Sequence, residues 1–276
     1  MLKEDHRHAY STKHHFSISY PVKLSSRVYS TVLVPLIIVA SIFLILWVLG
    51  DTSMPYLGGT SVSTITWAII YTFIRLSAAY LLALIVSIPL SFLAHKSALM
   101  ERVLLPLFDI VQSVPVLAFF PILVLFFIQF NFLDGAAIII IFLSMVWNMV
   151  FSLVGGLKVI PSDINATAHV FHIKGFQYFR QIALPSVFPY LVTGSLLAWA
   201  QGWNIVIVAE VLHTYIPGGT HAQDLFGIGS LLVQSISTGQ TISFMYALLG
   251  MVIVIAIMNF LVWQKLLHYA EQFRFE

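Results

Sequence analysis

Long apolar runs separated by short polar breaks dominate the chain. The runs fall at about residues 31 to 50, 66 to 94, 103 to 130, 135 to 156, 187 to 212 and 241 to 264, each near or above the roughly 20 residues that a helix needs to cross a bilayer. The pattern predicts an all-α polytopic membrane protein with about six transmembrane helices. Residues 59–71 are only moderately hydrophobic and rich in Ser and Thr, so the second segment is expected to begin as an interfacial helix, and 225–240 reads similarly. Composition agrees: 59% of residues are hydrophobic and 9% charged, against roughly 25% charged in an ordinary soluble domain. A water-soluble single domain is excluded. The chain has no cysteine, which removes disulfide frameworks, thiolate catalysis and Cys-ligated metals.

Charge sets the expected orientation. Lys3, Arg7, Lys13, Lys23 and Arg27 precede the first run, Lys96 and Arg102 follow the second, Lys158, Lys174 and Arg180 follow the fourth, and Lys265 and Arg274 end the chain. The intervening breaks hold Asp51, Asp134 and Asp224 but no Lys or Arg. By the positive-inside rule both termini are cytoplasmic. Residues 1–28 form a cytoplasmic tail, 29–61 the first span and its outer loop, and 271–276 a cytoplasmic C-terminal tail. The polar N-terminal stretch lacks a small-residue cleavage site, so the first span is read as a retained anchor. No clustered basic and aromatic surface suggests nucleic acid.

The cytoplasmic connection 157–186 is neither Gly/Ser-rich nor highly charged, and it is expected to fold. Pro161 and Ser162 make a helix start, Asp163 suits the positive end of the helix dipole, and Gly175 ends or bends the helix. A second short helix through Phe179 and Arg180 is expected to stop near Leu184 and Pro185, where the chain returns to the membrane. Ile164, Val170 and Phe171 are available as apolar contacts. Such an element is either a docking knob for a cytoplasmic partner or an amphipathic loop on the headgroups.

Four segments carry a family resemblance: TFIRLSAAYLLALIVSIPL at 72–90 with Thr72, Arg75 and Pro89, QSVPVLAFFPILVLFF at 112–127, GWNIVIVAEVL at 202–212 with Glu210, and FGIGSLL at 226–232. In this order and spacing they resemble the membrane components of binding-protein-dependent ABC importers, most closely the nitrate, sulfonate and bicarbonate type. The resemblance covers roughly residues 66–270. It implies the type I ABC importer permease fold with a permease core at 62–270. The family's cytoplasmic loop carries Glu-Ala-Ala, then Gly four residues on, and a closing hydrophobic-x-Leu-Pro. Ala168, Ile182, Leu184 and Pro185 match it, whereas Ala166, Thr167 and His172 stand where Glu, Ala and Gly are usual. The resemblance implies that Ser162, Asp163, Ile164, Ala168, His169, Val170, Phe171, His172, Gly175, Leu184 and Pro185 form an ATPase-coupling loop. It also implies the partners: an ABC ATPase dimer, a second permease subunit as homodimer or heterodimer, and a periplasmic or lipid-anchored solute-binding protein, all around the bacterial cytoplasmic (inner) membrane and its lipid.

Ionised groups at bilayer depth cost about 2.5 to 3.5 kcal/mol on insertion scales, so Arg75, Asp109 and Glu210 need partners or water. Arg75 and Glu210 fall at similar outer depth, and a pair between them would brace the bundle with or without touching solute. Gln112, Ser113, Asn148, Gln201 and Asn204 are either lining of a polar translocation path or interhelical glue, and Pro115 or Pro121 is placed to break a helix. The histidine groups His6/His8, His14/His15 and His169/His172 lack acidic or Cys ligands at useful spacing, so no metal and no cofactor is assigned.

Three classes are weighed: an ABC permease subunit, a self-contained secondary transporter or channel, and a membrane-embedded enzyme. A permease subunit of an ABC importer for a small solute, with a small anion as the candidate, is preferred over a secondary transporter, a channel subunit, or a non-transporting partner permease in a heterodimer. A phosphate-binding Gly-x-x-x-x-Gly-Lys is absent from the sequence, so ATP hydrolysis needs a separate subunit. No hydrolase motif or paired-carboxylate constellation argues for an enzyme.

Overall fold

A computed structural model describes residues 62–273. The first expected span, at 31 to 50, and the N-terminal histidines lie outside the described residues. Among the described residues the structure is helical throughout, without a strand.

Helix α1, Val62–His95, runs for 34 residues without a break at the Ser and Thr positions near its start. Ser97 caps α2, Ala98–Ser113, by accepting a hydrogen bond from the Met100 N–H. The chain then turns by 76° into a 3-10 turn and α3, Phe120–Ile128. The break lies at Val114–Pro115. Val114 is extended, with ψ 125, because the ring of the following proline disfavours the helical region. Pro121 sits in the first turn of α3, where its missing N–H has no intrahelical partner to lose. The span expected at 103 to 130 is therefore a bent pair.

Helix α4, Leu133–Lys158, is followed by the short α5, Ser162–Val170. The chain then passes through α6, Gly175–Tyr178, and a π-helical segment, Phe179–Ala183, into α7, Leu184–Glu210. Two expectations are corrected here. Helix α5 ends at Val170 and its turn is made at His172, with φ 55, whereas Gly175, with φ 58, begins the next helix. The second helix does not stop at Pro185: residues Gly175–Glu210 form one continuous 36-residue helix. A proline inside a helix removes one N–H and crowds the carbonyl four residues back. The widened turn, in which the Leu184 N–H donates to the Phe179 carbonyl, accommodates both effects.

A connector leads to α8, Ile228–Ser237, which occupies much of the stretch compared above with an interfacial helix. Helix α9, Thr241–Met258, continues through a π segment into α10, Gln264–Glu271. Among the described residues four helical stretches are long and apolar enough to cross a membrane, or five if the bent pair counts as one. They coincide with five of the six expected spans.

The core forms where α1, α4 and α7 pack together, burying Leu76, Ala79 and Ala83 against Ile140, Met145, Met149, Ala198 and Val206. Apolar side chains gain little from leaving lipid, so such packing depends on close contact. Small residues permit it. A Cβ on Gly194 would stand 2.7 Å from Ser152, and one on Gly202 would stand 2.8 Å from Leu76. Hydroxyls add interhelical bonds, from Tyr80 to Ser195 at 2.9 Å and from Ser91 to the Val150 carbonyl at 3.2 Å.

Candidate functional site

One end of the bundle holds a buried polar network. Thr72 and Arg75 are three residues apart on α1 and so share a helix face. The Arg75 guanidinium donates from Nε to Asp134 Oδ1 at 2.6 Å, and from Nη1 to Glu210 Oε1 at 2.8 Å and to the Phe226 carbonyl at 3.0 Å. The Thr72 hydroxyl donates to Glu210 Oε1 at 2.6 Å and accepts from the Ile228 N–H at 2.9 Å. The Gly229 N–H donates to Glu210 Oε2 at 2.7 Å. Glu210 is fully buried, while the Asp134 side chain is 47% exposed. A buried carboxylate is tolerable only when its lone pairs are filled and a cation lies beside it, and both conditions hold here. Through the Gly229 N–H, Glu210 also meets the first turn of α8, where the helix dipole favours negative charge. The approach requires glycine: a Cβ on Gly227 would collide with the Glu210 carboxylate, and one on Gly229 would sit 2.7 Å from Ile207 Cα.

The structure thus pairs Arg75 with Glu210 and adds Asp134, which the sequence reading left in a loop. Thr72 and Arg75 at helical spacing were the available signal for a shared partner. The other path residues are not drawn into this network. Asp109, Gln112 and Ser113 are exposed on the last turns of α2, where Gln112 donates to Asp109 at 3.0 Å and Ser113 to the Asp109 carbonyl at 2.7 Å. Asn148 is half-buried on α4 and directs its amide at the Ser144 carbonyl of its own helix, 3.5 Å away. Gln201 and Asn204 are exposed on α7.

At the opposite end, Lys158 at the foot of α4 pairs with Glu101 in the first turn of α2 at 2.6 Å. Beyond it projects α5. Ser162, Asp163, His169 and His172 are exposed, and Thr167 donates to the Asp163 carbonyl at 2.7 Å. Ala168 is 4% exposed, and Ile164 packs on Leu153, Leu157, Ile160, Ala183 and Val187. Ala168 is buried and Ile164 partly buried, so both help seat α5 on the body of the protein. Val170 and Phe171 are 72% and 68% exposed, and Phe176 beside them is 75% exposed. Gly175 is exposed, and Leu184 and Pro185 lie half-buried where the helix joins the body.

A third constellation was not anticipated. In the connector between α7 and α8, His213 and His221 both direct Nδ1 at the Asp224 carboxylate. Burial raises the Asp224 pKa, but the His213 backbone N–H and the two imidazoles outweigh it and hold the carboxyl below its ordinary value. The spacing His-x7-His-x2-Asp was legible, but only the folded connector brings the three together.

These features define a multi-pass helical membrane protein with a braced bundle end and a projecting helix at the other. The family described as the inner membrane component of binding-protein-dependent transport systems matches residues 87–267, and the chain belongs to that family. It is 31% identical over 175 residues to the nitrate import permease protein NrtB of Leptolyngbya laminosa, covering 63% of this chain and 62% of the relative. It is 30% identical over 152 residues to the bicarbonate transport system permease protein CmpB of Synechococcus elongatus, covering 55% of this chain and 54% of the relative. A third relative is the taurine transport system permease protein TauC of Escherichia coli, 24% identical over 138 residues, 50% of this chain and 49% of the relative. The chain matches less than two thirds of the length of each.

Proposed function

We propose that the chain is the permease subunit of an ABC importer and forms the path for a small oxyanion-bearing solute delivered by a binding protein. The observation that carries the reading is the family match across 87–267, which spans α5 and the Asp134, Glu210 and Gly229 members of the polar network. Nitrate, bicarbonate and taurine, named for the relatives, share a compact anionic oxygen group. The partners are an ATPase dimer at the α5 end, a second permease subunit as homodimer or heterodimer, and a binding protein at the Glu210 end. The chain supplies no catalysis of its own. Both termini are cytoplasmic, residues 62–270 are the permease core, and 157–186 the coupling segment.

The Arg75–Glu210–Asp134 network acts as an outer brace. The Arg75 guanidinium is already engaged by Glu210, Asp134 and the Phe226 carbonyl, so the network closes the bundle without holding an anionic solute. Asp109, Gln112, Ser113, Gln201 and Asn204, exposed in the isolated chain, are the groups available to line a path once a second subunit covers them.

The test is reconstitution of the chain with its co-purifying ATPase and binding protein in liposomes. Uptake of labelled nitrate, bicarbonate or taurine should require ATP and the binding protein together. Solute flux through the purified chain alone, without ATP, would instead make it a channel or secondary carrier.

A further inference from the structure

The connector between α7 and α8 is held closed by its own backbone. The Leu225 N–H donates to the Glu210 carbonyl at 3.0 Å, so the segment leaves and returns at one point. Between these ends His213 lies in a 3-10 turn, His213–Tyr215, and His221 in another, His221–Gln223. Gly218, with φ 71, makes the turn between them. Gly219 lies so close to the His213 carbonyl that a Cβ would stand 2.5 Å from it. Thr220 and Gln223 close the second turn, with Gln223 Oε1 accepting from the Thr220 N–H at 2.7 Å.

This frame gathers three donor groups at one point. His213 Nδ1 lies 2.9 Å from both Asp224 oxygens, and His221 Nδ1 lies 3.0 Å from Oδ2. The two rings are 4.1 Å apart between centroids. The ligating atoms of all three residues lie within 4.8 Å of one another. The His213 backbone N–H also donates to Asp224 Oδ1 at 3.0 Å, which fixes the carboxylate's orientation. The Asp224 side chain is 8% exposed, His213 20% and His221 41%, so the cluster is anchored in the protein and open on one side.

From this geometry we infer that His213, His221 and Asp224 form a binding site for a divalent transition-metal ion of the zinc class, with a remaining coordination position open to solvent at His221. Two ligands each about 2.0 to 2.1 Å from a tetrahedral zinc stand roughly 3.3 Å apart. The observed separations of 2.9 and 3.0 Å need only a few tenths of an ångström of opening. Two imidazole nitrogens with one carboxylate oxygen suit Zn²⁺, Co²⁺, Ni²⁺ or Cu²⁺, whereas Mg²⁺ and Ca²⁺ prefer all-oxygen shells. Binding replaces any Nδ1 protons by the metal, while the Asp224 carboxylate offsets one of the two positive charges. The bound ion clamps the connector whose ends carry Glu210 on one side and Phe226, Ile228 and Gly229, partners of Arg75, Thr72 and Glu210, on the other. It therefore stiffens the outer brace. The site's location outside the membrane rests on the proposed topology, but binding itself does not.

The test uses the full chain purified in detergent without a histidine tag, with His6, His8, His14 and His15 changed to Gln to remove background binding. Titration with Co²⁺ should give one ion per chain with the visible absorption of a low-coordinate site, displaced by Zn²⁺ and unaffected by Mg²⁺. Asp224→Asn and the exposed His221→Gln should each weaken binding by roughly tenfold or more, while Co²⁺ and Zn²⁺ should raise the thermal unfolding temperature of the parent chain and not that of either variant. Absence of a Co²⁺ or Zn²⁺ signal, or binding of equal strength in His221→Gln and Asp224→Asn, would overturn the site whether or not the chain transports solute.

Discussion

Glu210 accepts from Thr72, Arg75 and Gly229, so its charge is compensated by groups from two other helices. Removing one member strands the rest. Arg75→Met is expected to lower thermal unfolding in detergent strongly, on the order of 3 to 5 kcal/mol, because it leaves a buried carboxylate without its cation. Glu210→Met should cost a comparable amount, and the double change much less than the sum, since both charges then leave together. Additive losses in this cycle would mean that the two are not coupled. His172 presents a different case. Its φ of 55 places an L residue in the left-handed region, where the strain is about 1 to 2 kcal/mol. The position is exposed, so His172→Gly should stabilise the chain by up to about 1 kcal/mol. A loss of stability would show that the His172 ring, 3.0 Å from the Val170 carbonyl, holds the turn.

At the scale of the element, α5 divides into an inner face that seats it and an outer tip that is free. Ile164 and Ala168 are turned inward, while Val170, Phe171 and Phe176 expose apolar surface. Exposed aromatic groups on a projecting element suit a groove in a partner better than water. Phe171→Asp would bring a charge against such a groove and should uncouple ATP hydrolysis from uptake while leaving the fold intact. Cysteines placed at His169 or Phe171 should cross-link to a co-expressed ATPase, and cysteines at Ile164 or Ala168 should not. Cross-links to lipid alone from every position would make α5 a headgroup-facing helix. Because Ala166 is exposed at the position where the resemblance implies Glu, introducing Glu there should leave coupling unchanged or impair it.

Across the whole molecule, the two ends of the bundle carry different chemistry. Arg75, Asp134, Glu210 and Phe226 meet at one end, whereas Lys158 meets Glu101 at the other. Reporters fused after Lys96 or Lys158 should therefore be cytoplasmic and those within 216–222 external. Labelling in the reverse sense would move the brace and the connector to the cytoplasmic side. Helix α9 is also set apart. It packs on the bundle through Phe244, Ala247, Met251 and Val254, while Ile242, Met245, Leu249, Val252, Ile253 and Ile257 stay exposed as a face for lipid or a second subunit.

The sequence by itself determined what depends on composition and local chemistry. Apolar length located the described spans, Pro161 and Ser162 located the start of α5, and the cost of burying Arg75 and Glu210 required that each find a partner. Tertiary structure decided whatever depends on which atoms meet. Asp134 reads as a loop residue until α4 brings it to Arg75, and Ile164 reads as an outward residue until the feet of α4 and α7 partly bury it. Pro185 reads as a stop because the chain alone does not reveal that a widened turn can carry a helix past it. His213, His221 and Asp224 are three ordinary polar residues in sequence. Their convergence arises only when Leu225 closes the connector on Glu210, because a ligand set is defined by distances of a few ångströms that spacing along an irregular loop does not encode.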